Sequence, residues 1–385
     1  MIFREKINKF HFDVVMIVAI FFLLVLGIIM VTSSSIAIAD RDFAEPFYYL
    51  YRQMTAISIG LILGLICMYM PTEYWLKLNW IFLIIAFALL ISVFIPSIGY
   101  TVNGSTRWIV LGPLRLQPSE PARLCLIIYL SGYIVRHQST LRESLSGFLK
   151  PLFLIALASF LLLSEPDFGA TVVLMITSLG LLFIGGARIR DFLFSFLIVF
   201  SSLLLAAFSE PYRLARLTGF LDPWADSENS GYQLTQSLIA IGRGDFFGVG
   251  LGSSVQKLFY LPEAHTDFIF AVLSEEFGLV GVTITIILFG ILVYKAISNS
   301  NKAIEKGMLF QALLSSGIGM ALGVQVFINM GVSAGLLPTK GLTLPLFSYG
   351  RMSIIITLIS LAILIRIHHE VITCDKKIKI KGKRR

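Results

Sequence analysis

The stretch Pro262-Glu263-Ala264-His265-Thr266-Asp267 runs directly into Phe268-Ile269-Phe270-Ala271-Val272-Leu273. A polar loop therefore ends where an apolar, membrane-type helix begins, with a carboxylate at the boundary. Glu275 and Glu276 follow two turns further in. An acidic residue near the middle of a membrane helix costs roughly 2.5–3.5 kcal/mol on insertion scales, so three carboxylates here call for a role.

Apolar runs of the same kind recur along all 385 residues, of which 56% are hydrophobic and 14% charged, with a mean hydropathy of +0.84. Each is long enough to cross a hydrocarbon core of roughly 30 Å. The runs are continuous rather than alternating, which excludes a β-barrel. The expected fold is an all-α polytopic membrane protein: a single transmembrane domain over residues 1–385, with spans near 12–32, 47–70, 78–96, 119–136, 151–165, 168–187, 191–211, 267–295, 307–330 and 343–366. The first run follows Arg4, Lys6 and Lys9 and is too long for a signal-peptide core, so it reads as an uncleaved anchor.

Loop charge sets the orientation. With the N-terminus inside, one set of segments collects Lys77, Arg136, Arg142, Lys150, Arg188, Arg190, Lys295, Lys302, Lys306 and a basic tail over residues 367–385. The positive-inside rule then places both termini in the cytoplasm. A basic tail beside a membrane span meets anionic lipid, and without an aromatic-interleaved basic fold no nucleic-acid partner is expected. Cys67 and Cys125 fall in apolar runs and Cys374 in the tail, so no disulfide framework is implied.

Two external segments remain, Ser97–Gln117 and the large loop over residues 212–266. A loop of that length is functional or disordered, and this one is aromatic and Gly-rich rather than low in complexity. Its Gly248–Gly252 run neither follows a strand nor opens a βαβ unit, so it is no dinucleotide fingerprint. Pro118-Ser119-Glu120-Pro121 reads as a helix start with Ser119 as cap, and Glu165-Pro166-Asp167 as a break between two spans with Asp167 as cap.

Two readings of Asp267 stay open: a general base whose pKa is raised at the helix mouth, or, like Thr266, a helix cap. Glu120 and Arg123 share a helix face, as a structural ion pair or as a guanidinium reaching a phosphate. The external basic residues Arg107, Arg115, Arg213, Arg216, Arg243, Lys257, Lys340 and Arg351 can form a patch for a pyrophosphate-type head group, or can be solvated charges. No zinc motif, P-loop or serine-nucleophile motif is present; a pyrophosphate substrate can recruit Mg²⁺ through one or two carboxylates.

Several words in one order carry a resemblance: N-G-S-T-R-W (Asn103–Trp108), L-R-L-Q-P-S-E (Leu114–Glu120), P-D-F-G (Pro166–Gly169), D-P-W-A-D (Asp222–Asp226), S-G-Y-Q-L-T-Q-S-L (Ser230–Leu238), S-V-Q-K-L-F-Y-L-P-E-A-H-T-D-F-I-F-A (Ser254–Ala271) and L-L-P-T-K-G-L-T-L-P (Leu336–Pro345). Over nearly its whole length the chain resembles the SEDS family (shape, elongation, division and sporulation). Ala264, Arg243 and Gly231–Leu234 favour the division branch over the elongation branch.

The resemblance implies ten transmembrane helices, a large periplasmic loop between the seventh and eighth, and placement in the bacterial inner membrane at the division septum. It further implies a peptidoglycan glycosyltransferase that polymerises lipid II beside a class B penicillin-binding protein and other divisome membrane proteins. By it, Asp267 is the catalytic base, Glu120 a pocket acid, and Arg123 stands where lysine is usual. Arg107, Gln117, Asp167, Gln233, Arg243, Lys257, His265 and Lys340 are the candidate substrate contacts. Glu165 replaces a common glutamine, and Ser348–Ser353 replaces a glycine-glycine-serine-serine ending. The rival readings are a lipid II flippase lined by Glu275, Glu276 and Glu120, an elongation-type polymerase, and a non-catalytic scaffold.

Overall fold

The computed structural model describes residues 10–102, 105–111, 114–208, 219–229, 231–338 and 341–382. One helix lies on each predicted span: α1 (Val14–Phe43), α2 (Tyr48–Tyr69), α3 (Asn79–Ser92), α4 (Ser119–Arg136), α5 (Leu145–Ser164), α6 (Phe168–Ile184), α7 (Ile189–Phe208), α8 (Ile269–Glu305), α9 (Leu309–Ser333) and α10 (Arg351–Gly382). Among the described residues six of these are long and apolar enough to cross a membrane, and α3 and α6 are apolar but shorter. The chain is a polytopic, helical membrane protein.

Burial ranks the helices. Within its apolar window α9 is 72% buried, whereas α1 and α2 are 33% and 28% buried. Helix α9 is therefore the central post, and α1 and α2 turn most of their apolar surface outward to lipid. The chain ends meet on one face: His11 N–H donates to His369 Nδ1 at 3.0 Å, and Lys295 Nζ pairs with Asp13 at 3.0 Å. Asp13 also caps α1 by accepting from Met16 N–H. The two chain ends thus lie on the same side of the bundle, as the charge pattern implied.

Four features depart from the expected elements. Helices α1 and α8 run past their apolar windows, to Phe43 and Glu305, because a helix needs no apolar face once it leaves the bilayer. Helix α10 starts at Arg351 rather than near residue 343, since Pro345 and the turns before Gly350 keep that stretch out of the helix, and it continues as helix into the basic tail. Ser119 is the first helical residue of α4, preceded by Pro118, and does not cap it. Finally, the Ser97–Gln117 segment holds a small antiparallel meander, Gly99–Val102, Ser105–Leu111 and Leu114–Leu116, with Tyr100 opposite Trp108 and Ile109 opposite Leu116. The β-branched and aromatic Thr-Arg-Trp-Ile-Val run suits a pleated, half-buried ribbon.

Helix α8 is broken. Gly278 has φ 62° and ψ −160°, a conformation closed to ordinary L residues. The break frees helix carbonyls, and the loop after the short helix Tyr232–Gly244 takes them up. Val249 N–H donates to Glu275 O at 2.9 Å and Gly250 N–H to Glu276 O at 3.1 Å. In return Leu279 N–H donates to Asp245 O and Val280 N–H to Phe246 O. Gly248, at φ 78°, passes so close that a Cβ would lie 2.1 Å from Glu276 O. The external loop is thus stitched into the helix it precedes.

Candidate active site

Asp267 lies in the turn before α8, half-buried, and is not the helix cap: Phe268 occupies that position and no side chain caps it. Thr266 Oγ1 instead donates to Glu263 Oε2 at 2.6 Å. The Asp267 turn is held from α9, where Asn329 Nδ2 donates to Asp267 O at 2.9 Å and to Leu342 O at 2.6 Å. A Cβ on Gly341 would fall 2.8 Å from Asp267 Oδ2, so the carboxylate rests against that glycine. Leu342 in turn fills the space above Gly169, where a Cβ would meet it at 2.8 Å. The Pro166–Gly169 and Leu336–Pro345 words therefore meet beside Asp267.

One turn along α9 the polar face continues. Gln325 Nε2 donates to Thr343 O at 3.0 Å, and its Oε1 accepts from Arg123 Nη2 at 2.7 Å. The same nitrogen pairs with Glu120 Oε2 at 2.6 Å. Both side chains are nearly buried, 7% exposed for Glu120 and 11% for Arg123. Positions 325 and 329 are stacked about 6 Å apart along one helix face. Glu120, Arg123, Gln325, Asn329 and the Asp267 turn thus form a connected polar line at one end of the bundle. A small, mostly apolar cavity of about 30 Å³ opens beneath Arg123 and Gln325, walled by Ile127, Ile318, Leu322, Ile356 and Leu361.

Gln325 and Asn329 are absent from the candidates drawn from sequence. Two amides four residues apart in a membrane helix are themselves a functional signal, because hydrocarbon cannot satisfy them.

A second group surrounds the α5–α6 turn. Asp167 caps α6, its Oδ1 accepting from Ala170 N–H at 3.1 Å, while Gln117 Nε2 lies 3.4 Å from Oδ2. Arg107 donates to the main-chain carbonyls of Glu165 and Pro166, tying the meander to this turn. The Glu165 carboxylate is 1% exposed and neither oxygen has a hydrogen-bond partner. Burial pushes its pKa up to about 8, the nearby Asp167 charge adds to the shift, and Arg107 opposes it.

Arg243 and Lys257 are placed as braces. Arg243 Nη1 pairs with Glu275 at 3.3 Å, and Lys257 Nζ pairs with Glu276 at 2.6 Å and reaches Ser33 Oγ at 2.8 Å. Glu275 also accepts from Ser254 Oγ and from Val255 N–H at 3.1 Å. Both glutamates are essentially fully buried. The two carboxylates that looked costly in sequence fasten the external loop to α8 and α1.

His265 packs between Tyr49 and Tyr349, with ring centroids 4.6 and 5.8 Å away, and its main-chain carbonyl accepts from Tyr349 N–H. Burial lowers its pKa, with Glu263 pulling the other way. Gln233 is half-buried on Tyr232–Gly244. Arg213, Arg216 and Lys340 lie outside the described residues.

Comparison with known proteins sets this arrangement in context. A family model described as cell cycle protein, spanning FtsW, RodA and SpoVE, matches residues 14–372. The chain is 50% identical over 360 residues to a probable peptidoglycan glycosyltransferase FtsW of Thioalkalivibrio sulfidiphilus, covering 94% of this chain and 90% of that one. It is 51% identical over 359 residues to the protein of the same name from Legionella pneumophila, covering 93% and 91%. Among solved structures, a chain of a peptidoglycan synthase complex, studied for its structural coordination of polymerization and crosslinking, superposes with a TM-score of 0.76 at 28% identity, covering 94% and 98%. The rod shape determining protein RodA of Thermus thermophilus gives 0.70 at 27% identity, with the same coverage.

Proposed function

This chain belongs to the FtsW/RodA/SpoVE family of cell cycle proteins, and from that premise we propose that it is a peptidoglycan glycosyltransferase that polymerises lipid II during septal wall synthesis. The observation that carries the reading is the Asp267 carboxylate at the mouth of α8, on a turn fixed by Asn329 and joined through α9 to the Glu120–Arg123 pair.

In the proposed reaction Asp267 takes the proton from the 4-hydroxyl of the acceptor N-acetylglucosamine. That oxygen attacks the anomeric carbon of the donor N-acetylmuramic acid from the face opposite the leaving group. The new glycosidic C–O bond forms as the bond to undecaprenyl pyrophosphate breaks, and the anomeric configuration inverts. Arg123 stabilises charge on the departing pyrophosphate, and Glu120 and Gln325 hold the guanidinium in place. The external Arg107, Gln117, Asp167, Gln233, Arg243, Lys257, His265 and Lys340 shape the surface on which the saccharides lie, several of them by bracing it rather than by touching substrate.

A divalent cation such as Mg²⁺ would offset charge on the pyrophosphate and needs only one or two carboxylates besides it. Among the described residues no group of three His, Cys, Asp or Glu side chains is placed to hold a metal ion. The reading places the protein in the bacterial inner membrane at the septum, beside a class B penicillin-binding protein and other divisome components.

The flippase alternative uses Glu275, Glu276 and Glu120 to line a path through the bilayer. All three are buried in ion pairs, which gives that reading less support. The test is polymerisation of lipid II by purified protein with its penicillin-binding partner. Asp267→Asn should abolish glycan product while the protein stays folded; product at the wild-type rate would remove Asp267 as the base. Lipid II translocation in liposomes without glycan product would favour the flippase.

A further inference from the structure

The segment Asp245–Gly252 displays side chains for which the proposed reaction has no use. Phe246, Phe247 and Leu251 are 62%, 84% and 56% exposed. Adjacent large apolar groups left open in this way mark a surface that something covers.

Position decides what covers it. The carbonyls of Asp245 and Phe246 accept from Leu279 and Val280 N–H, so the segment lies against the broken end of α8. From there α8 continues with Leu279, Val280, Ile284, Ile286 and Ile287, each about half-exposed, as the lipid-facing flank of a membrane helix. Leu279 stands about 24 Å along the helix from Lys295, at a rise of about 1.5 Å per residue. Lys295 pairs with Asp13 at the opposite polar edge of the bundle. A hydrocarbon core is about 30 Å thick, so the two phenylalanines leave the backbone at or inside its border.

Irregular backbone survives at such a depth only where its polar groups are paired. Here Gly248 N–H donates to Gly244 O, and Val249 and Gly250 N–H donate to the Glu275 and Glu276 carbonyls released by the break at Gly278. The segment therefore meets the condition for entering a leaflet. Two phenylalanines at its tip continue the apolar flank of α8.

We propose that Asp245–Gly252 is a re-entrant wedge whose Phe246, Phe247 and Leu251 side chains insert among the lipid acyl chains of the leaflet bordering the Asp267 site. It seats the external loop in the bilayer through contacts separate from the Lys257–Glu276 and Arg243–Glu275 pairs. The partner is the acyl region of the membrane, and the inference does not depend on the reaction assigned above.

Spin labels on the full chain, with Cys67, Cys125 and Cys374 replaced by serine, test this in phosphatidylethanolamine–phosphatidylglycerol vesicles. Labels at Phe247→Cys and, as a second reporter, Leu251→Cys are compared with Ile287→Cys on the flank of α8 and Glu228→Cys in the loop. The proposal expects both wedge labels to collide freely with oxygen and to be shielded from a water-soluble nickel chelate, as Ile287→Cys is. Nickel access equal to that at Glu228→Cys overturns it. So does shielding from both reagents, which would mean that protein, such as a second copy of the chain, covers the segment.

Discussion

Asn329 holds the main-chain carbonyl of Asp267 at 2.9 Å, and with its other amide proton it holds the carbonyl of Leu342 at 2.6 Å. One side chain from the largely buried helix α9 therefore sets the spacing between the turn carrying the carboxylate and the segment against which that carboxylate rests. Replacing it leaves one buried and one partly buried carbonyl without this donor, at a cost of about 1–3 kcal/mol for the buried one. Asn329→Ala should lower the rate of lipid II polymerisation at least tenfold while the protein still elutes as a folded species. Asn329→Asp should be worse, because it turns an acceptor toward two acceptors. Unchanged turnover in both variants would show that Asp267 is positioned by other means.

The Lys257–Glu276 pair is closed off from solvent at 2.6 Å, with 8% and 0% of the side chains exposed. Lys257→Met strands a buried carboxylate and should cost about 3–5 kcal/mol in denaturant unfolding. The double variant Lys257→Met/Glu276→Gln should recover a large part of that loss. A double variant as unstable as the single one would mean that packing, not the stranded charge, dominates.

Gly278 should tolerate no side chain. Its φ of 62° is joined by crowding, since a Cβ would lie 2.4 Å from Gly248 N and 2.7 Å from Gly244 O. Gly278→Ala should detach the loop from α8 and raise amide hydrogen exchange at Val249, Gly250, Leu279 and Val280. Protection at wild-type levels would contradict the stitched-helix description.

Glu165 makes stability depend on pH in a direction opposite to that of a salt-bridged carboxylate. Its pKa is raised from 4.5 to about 8 on folding, so the folded state holds the proton more tightly than the unfolded one. The contribution is fully present below about pH 4.5 and is lost as pH rises through about 8. Glu165→Gln, which stays neutral, should therefore raise the melting temperature more at pH 9 than at pH 6. An equal shift at both values would mean that the carboxylate is not titrating in this window.

Much of the site was readable before folding where the relationship is local. Glu120 and Arg123 are three residues apart on one helix face, and the ion pair follows from that spacing. Asp167 follows a proline ahead of an apolar run and caps α6 as such a residue should. The Asp267 boundary was visible because hydropathy changes abruptly there, although its cap reading gave way to Phe268. Lys257 and Arg243 read as free cations for a substrate patch, because their carboxylates lie 19 and 32 residues away in sequence. No helical or strand period connects those distances.

By itself the sequence determined where the ten helices lie, the common side of the two chain ends, and the residue types at the helix mouth. Hydrocarbon imposes those through run length and charge alone, residue by residue. Only the tertiary structure decided which polar groups meet. It broke α8 at Gly278 so that loop amides could take the freed carbonyls, and it joined Ser33 to Glu276 across 243 residues. It also chose Gln325 and Asn329 to connect the Glu120–Arg123 pair with the Asp267 turn. The reason is the cost of an unpaired polar group in a low-dielectric interior: each must find a partner, and which partner is near is a property of the packed bundle.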